Sequence, residues 1–201
     1  MIWLLLAVQF VEVLWVLFNY VGIEQTTSVG GVVRLSYMPY SHSVVTILGY
    51  AVIAWAVLGL GFRQTALSAA IGMGIGSHLV LDLATHNPDI TVAPWLDSIK
   101  LGSGLYNVPL LAFVVELSYG VACWWIFKGS GRLLAAILVL NAVNLPLFLL
   151  AGGTPNPAIP NESHNLLVVN VVFAEILITW FVIWWLSREE KPRLTGAISP
   201  A

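Results

Sequence analysis

Four titratable side chains fall within one short stretch at the end of an apolar run, "SHLVLDLATHNPD", residues 77–89. His78 and Asp82 are four positions apart, so both lie on one face if this stretch is helical. An imidazole and a carboxylate placed in this way can share a metal ion, or the carboxylate can orient the ring through a hydrogen bond. The spacing alone is equally typical of a helix-end histidine bonded to a neighbour.

His86 comes eight residues after His78. On a straight helix this separation is about 80° around the axis and about 12 Å along it, too far for both rings to bind one ion. Pro88 disfavours helix at Asn87, so the chain can leave the helix here and fold His86 back towards the pair. We therefore count His86 among the candidate catalytic residues.

The composition indicates whether these groups belong to a soluble protein or to a membrane protein. Of its 201 residues, 59% are hydrophobic and 9% are charged, whereas a soluble domain has roughly 25% charged residues. Too few polar residues remain to cover a soluble surface, so we predict an integral membrane protein with membrane lipids as its partners. The net charge of -2 gives no indication of a nucleic-acid partner.

Six apolar segments each approach the length of about 20 residues that a spanning helix needs. We predict an all-α, six-helix transmembrane bundle in one domain, residues 1–187, followed by a short polar tail, residues 188–201. The predicted spans are 2–23, 43–62, 65–85, 105–127, 133–151 and 165–187.

Basic residues predict the orientation of this bundle. They concentrate in the tail, in the turn at Arg63 and in the loop that contains Lys128 and Arg132. By the positive-inside rule these regions are cytoplasmic, which predicts an inner (plasma) membrane protein with both termini cytoplasmic. The three longer loops then face outwards: 24–42, 86–104 and 152–164.

Three glutamates, Glu12, Glu116 and Glu175, lie far from the helix ends. At about 1.5 Å per residue each is roughly 15 to 17 Å below the outer end of its helix. Charged groups at this depth are costly and usually have a partner or a function. We predict Glu12 or Glu116 as a further metal ligand or as a general base.

Three stretches together resemble the prokaryotic family of membrane-bound, metal-dependent hydrolases. They are "GIE" at 22–24, "MPYSHS" at 38–43 and "SHLVLDLATHNPDI" at 77–90, and the similarity covers roughly residues 8–127. The resemblance implies a metal site whose residues map onto four positions of this chain: Glu12, His42, His78 and Asp82. The family usually has aspartate in the first helix, where this chain has Glu12.

The candidate residues support one functional hypothesis and two alternatives. Two imidazoles and a carboxylate, from His42, His78 and Asp82, suit zinc and its neighbours, and we expect hydrolysis of a lipid or amphiphile at a site that opens to the outer face. The first alternative is a transporter or channel for a metal ion or protons that uses the three glutamates. The second is a structural or accessory membrane protein in which the polar cluster only holds helices together.

Overall fold

The computed structural model describes residues 2–152 and 155–189, and the predicted tail lies outside the described residues from position 190 onwards. Seven α-helices and two β-hairpins make up the described chain. In chain order they are α1 Ile2–Val8, α2 Phe10–Tyr20, β1 Gln25–Val29, β2 Val32–Tyr37, α3 Val44–Ala56, α4 Thr65–Thr85, β3 Ile90–Ala93, β4 Leu96–Leu101, α5 Pro109–Phe127, α6 Gly131–Ala151 and α7 Leu166–Glu189.

Five of the described helices are long and apolar enough to cross a membrane. They are Val44–Gly61, Thr65–Thr85, Pro109–Ile126, Gly131–Leu150 and Leu166–Leu186, and they coincide with five of the six predicted spans. A π-helical turn, Val57–Gly61, lengthens α3 to the first of these. The membrane character predicted from composition is thus supported by helix length as well.

The first predicted span, 2–23, is two consecutive helices instead of one. α1 and α2 meet at Gln9, whose φ of -101° and ψ of 10° depart from helical geometry. α2 alone has 11 residues, too few to cross a bilayer. A sixth span formed by α1 and α2 together stays a prediction.

Two antiparallel hairpins occupy segments predicted only as loops. β1 and β2 join through Gly30 and Gly31, both with positive φ, 56° and 81°, as a two-residue hairpin turn of type I′ requires. A side chain on Gly30 would also collide with the backbone of Asn156, so the hairpin lies directly against the loop before α7. The all-α prediction missed these strands because they are short and only half of their residues are apolar.

Two buried apolar clusters hold α2 in place. One packs Val11 of α2 against Ile47 of α3 and Ile75 of α4. The other packs Trp15 of α2 against Val169 of α7, together with residues of the hairpins. Glu12 lies between these two contacts on the same helix, so its position relative to α3 and α4 is set by apolar packing on both sides.

Two glycines of α4, Gly72 and Gly74, allow close approach of its neighbours. A Cβ at Gly72 would lie 3.4 Å from the backbone oxygen of Ala51 in α3, and one at Gly74 would lie 3.3 Å from Ala7 in α1. Gly76 has no such neighbour within 4 Å. α4 is therefore the central helix against which α1 and α3 pack.

Candidate metal centre

Glu12, His42 and His78 form a group of side chains that could hold a metal ion. Oε1 of Glu12 lies 3.5 Å from Nε2 of His42 and 3.4 Å from Nε2 of His78. Glu12 belongs to α2 and His78 to α4, while His42 lies two residues before the start of α3. Both imidazoles are largely buried, whereas a quarter of the Glu12 side chain remains accessible.

These separations fit ligands of one ion better than they fit direct hydrogen bonds. Ligand bonds of 2.0–2.1 Å in a tetrahedral site place neighbouring donor atoms about 3.4 Å apart, whereas N–H···O hydrogen bonds cluster between about 2.7 and 3.2 Å. Nε2 of His78 is buried and has no hydrogen-bond partner. A buried nitrogen without a partner is unfavourable, and a metal ion would satisfy it.

Asp82 extends the group along α4. Its Oδ1 lies 3.4 Å from Nε2 of His78, the i, i+4 contact predicted from the sequence, and its Oδ2 is buried without a hydrogen-bond partner. Relative to the predicted ligand set, Glu12 contacts both histidines and is the more central carboxylate. Asp82 is not a member of the Glu12, His42 and His78 group, although it faces the same ring nitrogen of His78 as Glu12 does.

His86 folds back to the same place. α4 ends at Thr85, and His86 adopts an extended conformation with φ -61° and ψ 153°. Its ring centroid then lies 5.9 Å from that of His42. Nδ1 of His86 contacts Asp89 at 3.2 Å, while Nε2 faces Asp82 at 3.8 Å. All the histidines and carboxylates of residues 77–89 therefore adjoin one site.

His42 is anchored by two residues that sequence reasoning did not single out, Ser41 and Glu24. Oγ of Ser41 lies 2.7 Å from Nδ1 of His42 and 2.6 Å from Oε2 of Glu24. Glu24 is fully buried, and its Oε1 accepts hydrogen bonds from the backbone N–H groups of Tyr40 and Ser41. Both residues stand in the quoted stretches "GIE" and "MPYSHS", but their types alone do not predict the contact.

The other two glutamate candidates, Glu116 and Glu175, are not members of the Glu12, His42 and His78 group. Glu116 accepts a hydrogen bond of 3.0 Å from the hydroxyl of Tyr106, whose ring lies 5.1 Å from that of His86. Oε1 of Glu175 is buried without a hydrogen-bond partner. His164, which precedes α7, is not a member of the Glu12, His42 and His78 group.

Two adjoining cavities surround the group. The loop-side cavity, about 220 Å³, extends between β2 and the segment after α4, where Arg34, Asn87 and Asp89 line it. The mid-helix cavity, about 390 Å³, lies among α2, α4, α5, α6 and α7. Both share the same central residues: Glu12, His86, Tyr106, Glu116, Asn144 and Val172. Of the candidate ligands, Glu12 lines both cavities, His42 lines only the loop-side cavity and His78 only the mid-helix cavity.

Burial and local charges shift the pKa of groups at the loop side of the site. For His86, burial lowers the pKa, but the hydrogen bond with Asp89 and the charge of Asp82 outweigh it and raise the pKa above its ordinary value. Burial raises the pKa of the Glu24 carboxyl, although its hydrogen bonds to Ser41 counteract this. Burial and the nearby Glu116 raise the pKa of Tyr106 well above its usual range, so its hydroxyl keeps its proton.

Comparison of the sequence with protein-family models and curated proteins, and of the structure with solved structures, gives no match.

Proposed function

We propose that the protein is a membrane-embedded, metal-dependent hydrolase that acts on a lipid or another amphiphile. The observation that supports it best is the grouping of Glu12, His42 and His78, whose ligand atoms all lie within 4.8 Å of one another. Oε1 of Glu12 is 3.5 Å from Nε2 of His42 and 3.4 Å from Nε2 of His78, and Glu12 lines both cavities. Two imidazoles and a carboxylate are the donor set of several catalytic zinc sites, which keep a fourth position open. We propose zinc as the resident ion on this basis.

A divalent ion held by these residues would act as a Lewis acid and lower the pKa of a water molecule towards neutrality. Glu116 is the proposed general base, because it lines both cavities and lies outside the ligand group. The hydroxyl of Tyr106 orients its carboxylate. His86, held through Nδ1 by Asp89, is the proposed donor of a proton to the leaving group.

The surroundings of the site favour an amphiphilic substrate. Both cavities combine apolar and polar side chains. Leu140 and Ile176 line the mid-helix cavity beside Glu116, and Leu147 and Phe148 line the loop-side cavity beside Arg34. A molecule with an apolar and a polar end matches such mixed linings. In the proposed orientation the loop-side cavity opens to the outer face of the membrane.

The test is turnover by purified protein in detergent micelles. Protein stripped with a chelator and reloaded with zinc is assayed on carboxylic esters and phosphodiesters that have short or long acyl chains. We expect zinc-dependent cleavage that favours long chains, and a loss of about 100-fold or more for Glu116→Gln, with no change for His164→Ala. Stoichiometric zinc without cleavage of either substrate class would contradict a hydrolase.

A transport function is the second proposal, because Glu12, Glu116 and Glu175 all line the mid-helix cavity. Carboxylates along one cavity in a membrane protein are typical of ion or proton pathways. Proteoliposomes loaded with a zinc-sensitive or a pH-sensitive dye distinguish it from hydrolysis: flux that Glu175→Gln abolishes supports transport. A protein that neither binds metal nor conducts would favour the purely structural role.

A further inference from the structure

We propose that Glu24 and Ser41 set the tautomer of His42, holding the proton on Nδ1 so that the lone pair of Nε2 faces Glu12. The inference rests on the proposed metal site for its consequence, but the hydrogen-bond chain itself can be measured without a metal. Glu24 and Ser41 are positioning residues in this scheme, because each acts on the ion only through His42.

The number of donors and acceptors determines which group donates in each hydrogen bond between Glu24, Ser41 and His42. Oε1 of Glu24 accepts from two backbone N–H groups, each at 2.8 Å, and neither group can act as an acceptor. Oε2 is left for the hydroxyl of Ser41 at 2.6 Å, the length expected of an O–H bonded to an ionised carboxylate, about 2.5 to 2.7 Å. Ser41 therefore donates its single proton to Glu24.

A serine hydroxyl has one proton and two lone pairs. Once Ser41 has donated to Glu24, it can only accept from Nδ1 of His42, 2.7 Å away. The neutral ring consequently has its proton on Nδ1 and its lone pair on Nε2. Nε2 is the atom that lies 3.5 Å from Glu12, so the ring presents the correct nitrogen to an ion.

Burial protects these hydrogen bonds from competition by water. Glu24 and Ser41 have no accessible surface, and His42 has 2%, so water does not compete for the four hydrogen bonds of the Glu24 carboxylate and the Ser41 hydroxyl. Ser43, the N-cap of α3, accepts a hydrogen bond from the backbone N–H of Thr46 and so fixes where the helix begins, directly after His42. Metal-ligating histidines generally need a hydrogen-bond partner on their other ring nitrogen, and for His42 this partner is Ser41.

Glu24→Gln provides a sharp test because it keeps the shape of the side chain and reverses the direction of donation in the hydrogen bonds from residue 24 through Ser41 to His42. The two backbone donors require the amide oxygen at the Oε1 position, so the amide NH₂ takes the Oε2 position and donates to Ser41. Ser41 must then donate to Nδ1 of His42, and the ring proton moves to Nε2. Ser41→Ala, in contrast, removes the hydrogen bonds of the Ser41 hydroxyl to Glu24 and His42 without imposing either tautomer on the ring.

The experiment measures ring-nitrogen shifts and long-range proton couplings in metal-free protein labelled with ¹⁵N at its four histidines, at a pH where the His42 ring is neutral. We expect Nδ1–H in the wild type and Nε2–H in Glu24→Gln, with zinc affinity about 10- to 100-fold weaker in Glu24→Gln and in Ser41→Ala. Glu162→Gln, at an exposed loop glutamate, is the matched control and should change neither the tautomer nor the affinity.

An Nε2–H tautomer in the wild type overturns the inference without any variant, even if the variants fold poorly. The same tautomer in wild type and in folded Glu24→Gln also overturns it. A wild type that has Nδ1–H, reverses in Glu24→Gln and does not bind zinc would leave the tautomer assignment standing and contradict the proposed metal function instead. The two failures are therefore distinguishable.

Discussion

Glu12 and His78 contact each other across two helices, with 3.4 Å between Oε1 of the carboxylate and Nε2 of the ring. Glu12 belongs to α2 and His78 to α4, and the apolar cluster that includes Val11 and Ile75 packs the two helices together directly beside this contact. The polar pair is thus positioned by apolar packing, and its geometry should survive changes that leave that packing intact.

The first prediction concerns the carboxylate of Glu12. Glu12→Gln keeps the shape but replaces an anionic ligand by a neutral amide, so we expect zinc content to fall to near zero after purification. Glu12→Asp keeps the charge and retracts it by one methylene, so we expect reduced, measurable zinc. Elemental analysis of the variants beside the wild type is the measurement, and full zinc in Glu12→Gln would remove Glu12 from the ligand set.

The second prediction couples metal to stability. An ion that binds only the folded protein stabilises it by about 2.7 kcal/mol when its free concentration is 100 times Kd. We expect zinc to raise the melting temperature of the wild type and to have no effect on His78→Ala. His164→Ala is the matched control and should respond to zinc like the wild type, since His164 is not in the ligand group. Equal zinc responses in wild type and His78→Ala would argue against the site.

Asp82 gives the third prediction. Asp82→Asn is isosteric, so the fold should remain intact, but the variant loses the negative charge beside Nε2 of His78 and Nε2 of His86. We expect zinc affinity to weaken about 10-fold or more, as measured by competition with a chromogenic chelator. An unchanged affinity would show that Asp82 neither binds the ion nor orients a ligand.

Part of this site could be predicted from the sequence because it depends on local geometry. The i, i+4 spacing places Asp82 beside His78 on α4, and Pro88 explains why the chain leaves the helix and brings His86 back. Both relationships involve a single segment of chain. The helical periodicity and the turn chemistry of that segment are sufficient to anticipate them.

The contacts between segments could not be predicted in this way. A spanning helix is apolar on every side, so its pattern does not indicate which face points inwards. The approach of Glu12 to His42 depends on how α2, α3 and α4 pack, and the resemblance to a family, not the periodicity, suggested it. Glu24 and Ser41 were missed for a similar reason: the hairpin of β1 and β2 separates them, and it was predicted as a loop.

The fourth prediction uses the glycines of α4. Leucine at Gly72 would meet the backbone of Ala51, and leucine at Gly74 would meet Ala7. Overpacking of this kind costs about 1 to 3 kcal/mol, so we expect lower melting temperatures in detergent for both variants. Gly76→Leu is the internal control, because nothing lies within 4 Å of a Cβ there. If the melting temperature of Gly76→Leu falls as much as those of the other two variants, helix propensity or the micelle, and not packing, explains the loss.

The last prediction concerns orientation, which decides whether the loop-side cavity faces outwards. Arg63 and Arg132 lie at the ends of the helices opposite to the hairpins and the loop before α7, and basic residues favour the cytoplasmic side. In a Cys123→Ser background we introduce Gln64→Cys beside Arg63 and Ala158→Cys in that loop, both at exposed positions. In intact cells a membrane-impermeant maleimide should label the cysteine at position 158 but not the one at position 64, which should react only after the membrane is opened. The opposite labelling would place the loop-side cavity in the cytoplasm, and the proposed substrate would then have to approach from the inner leaflet.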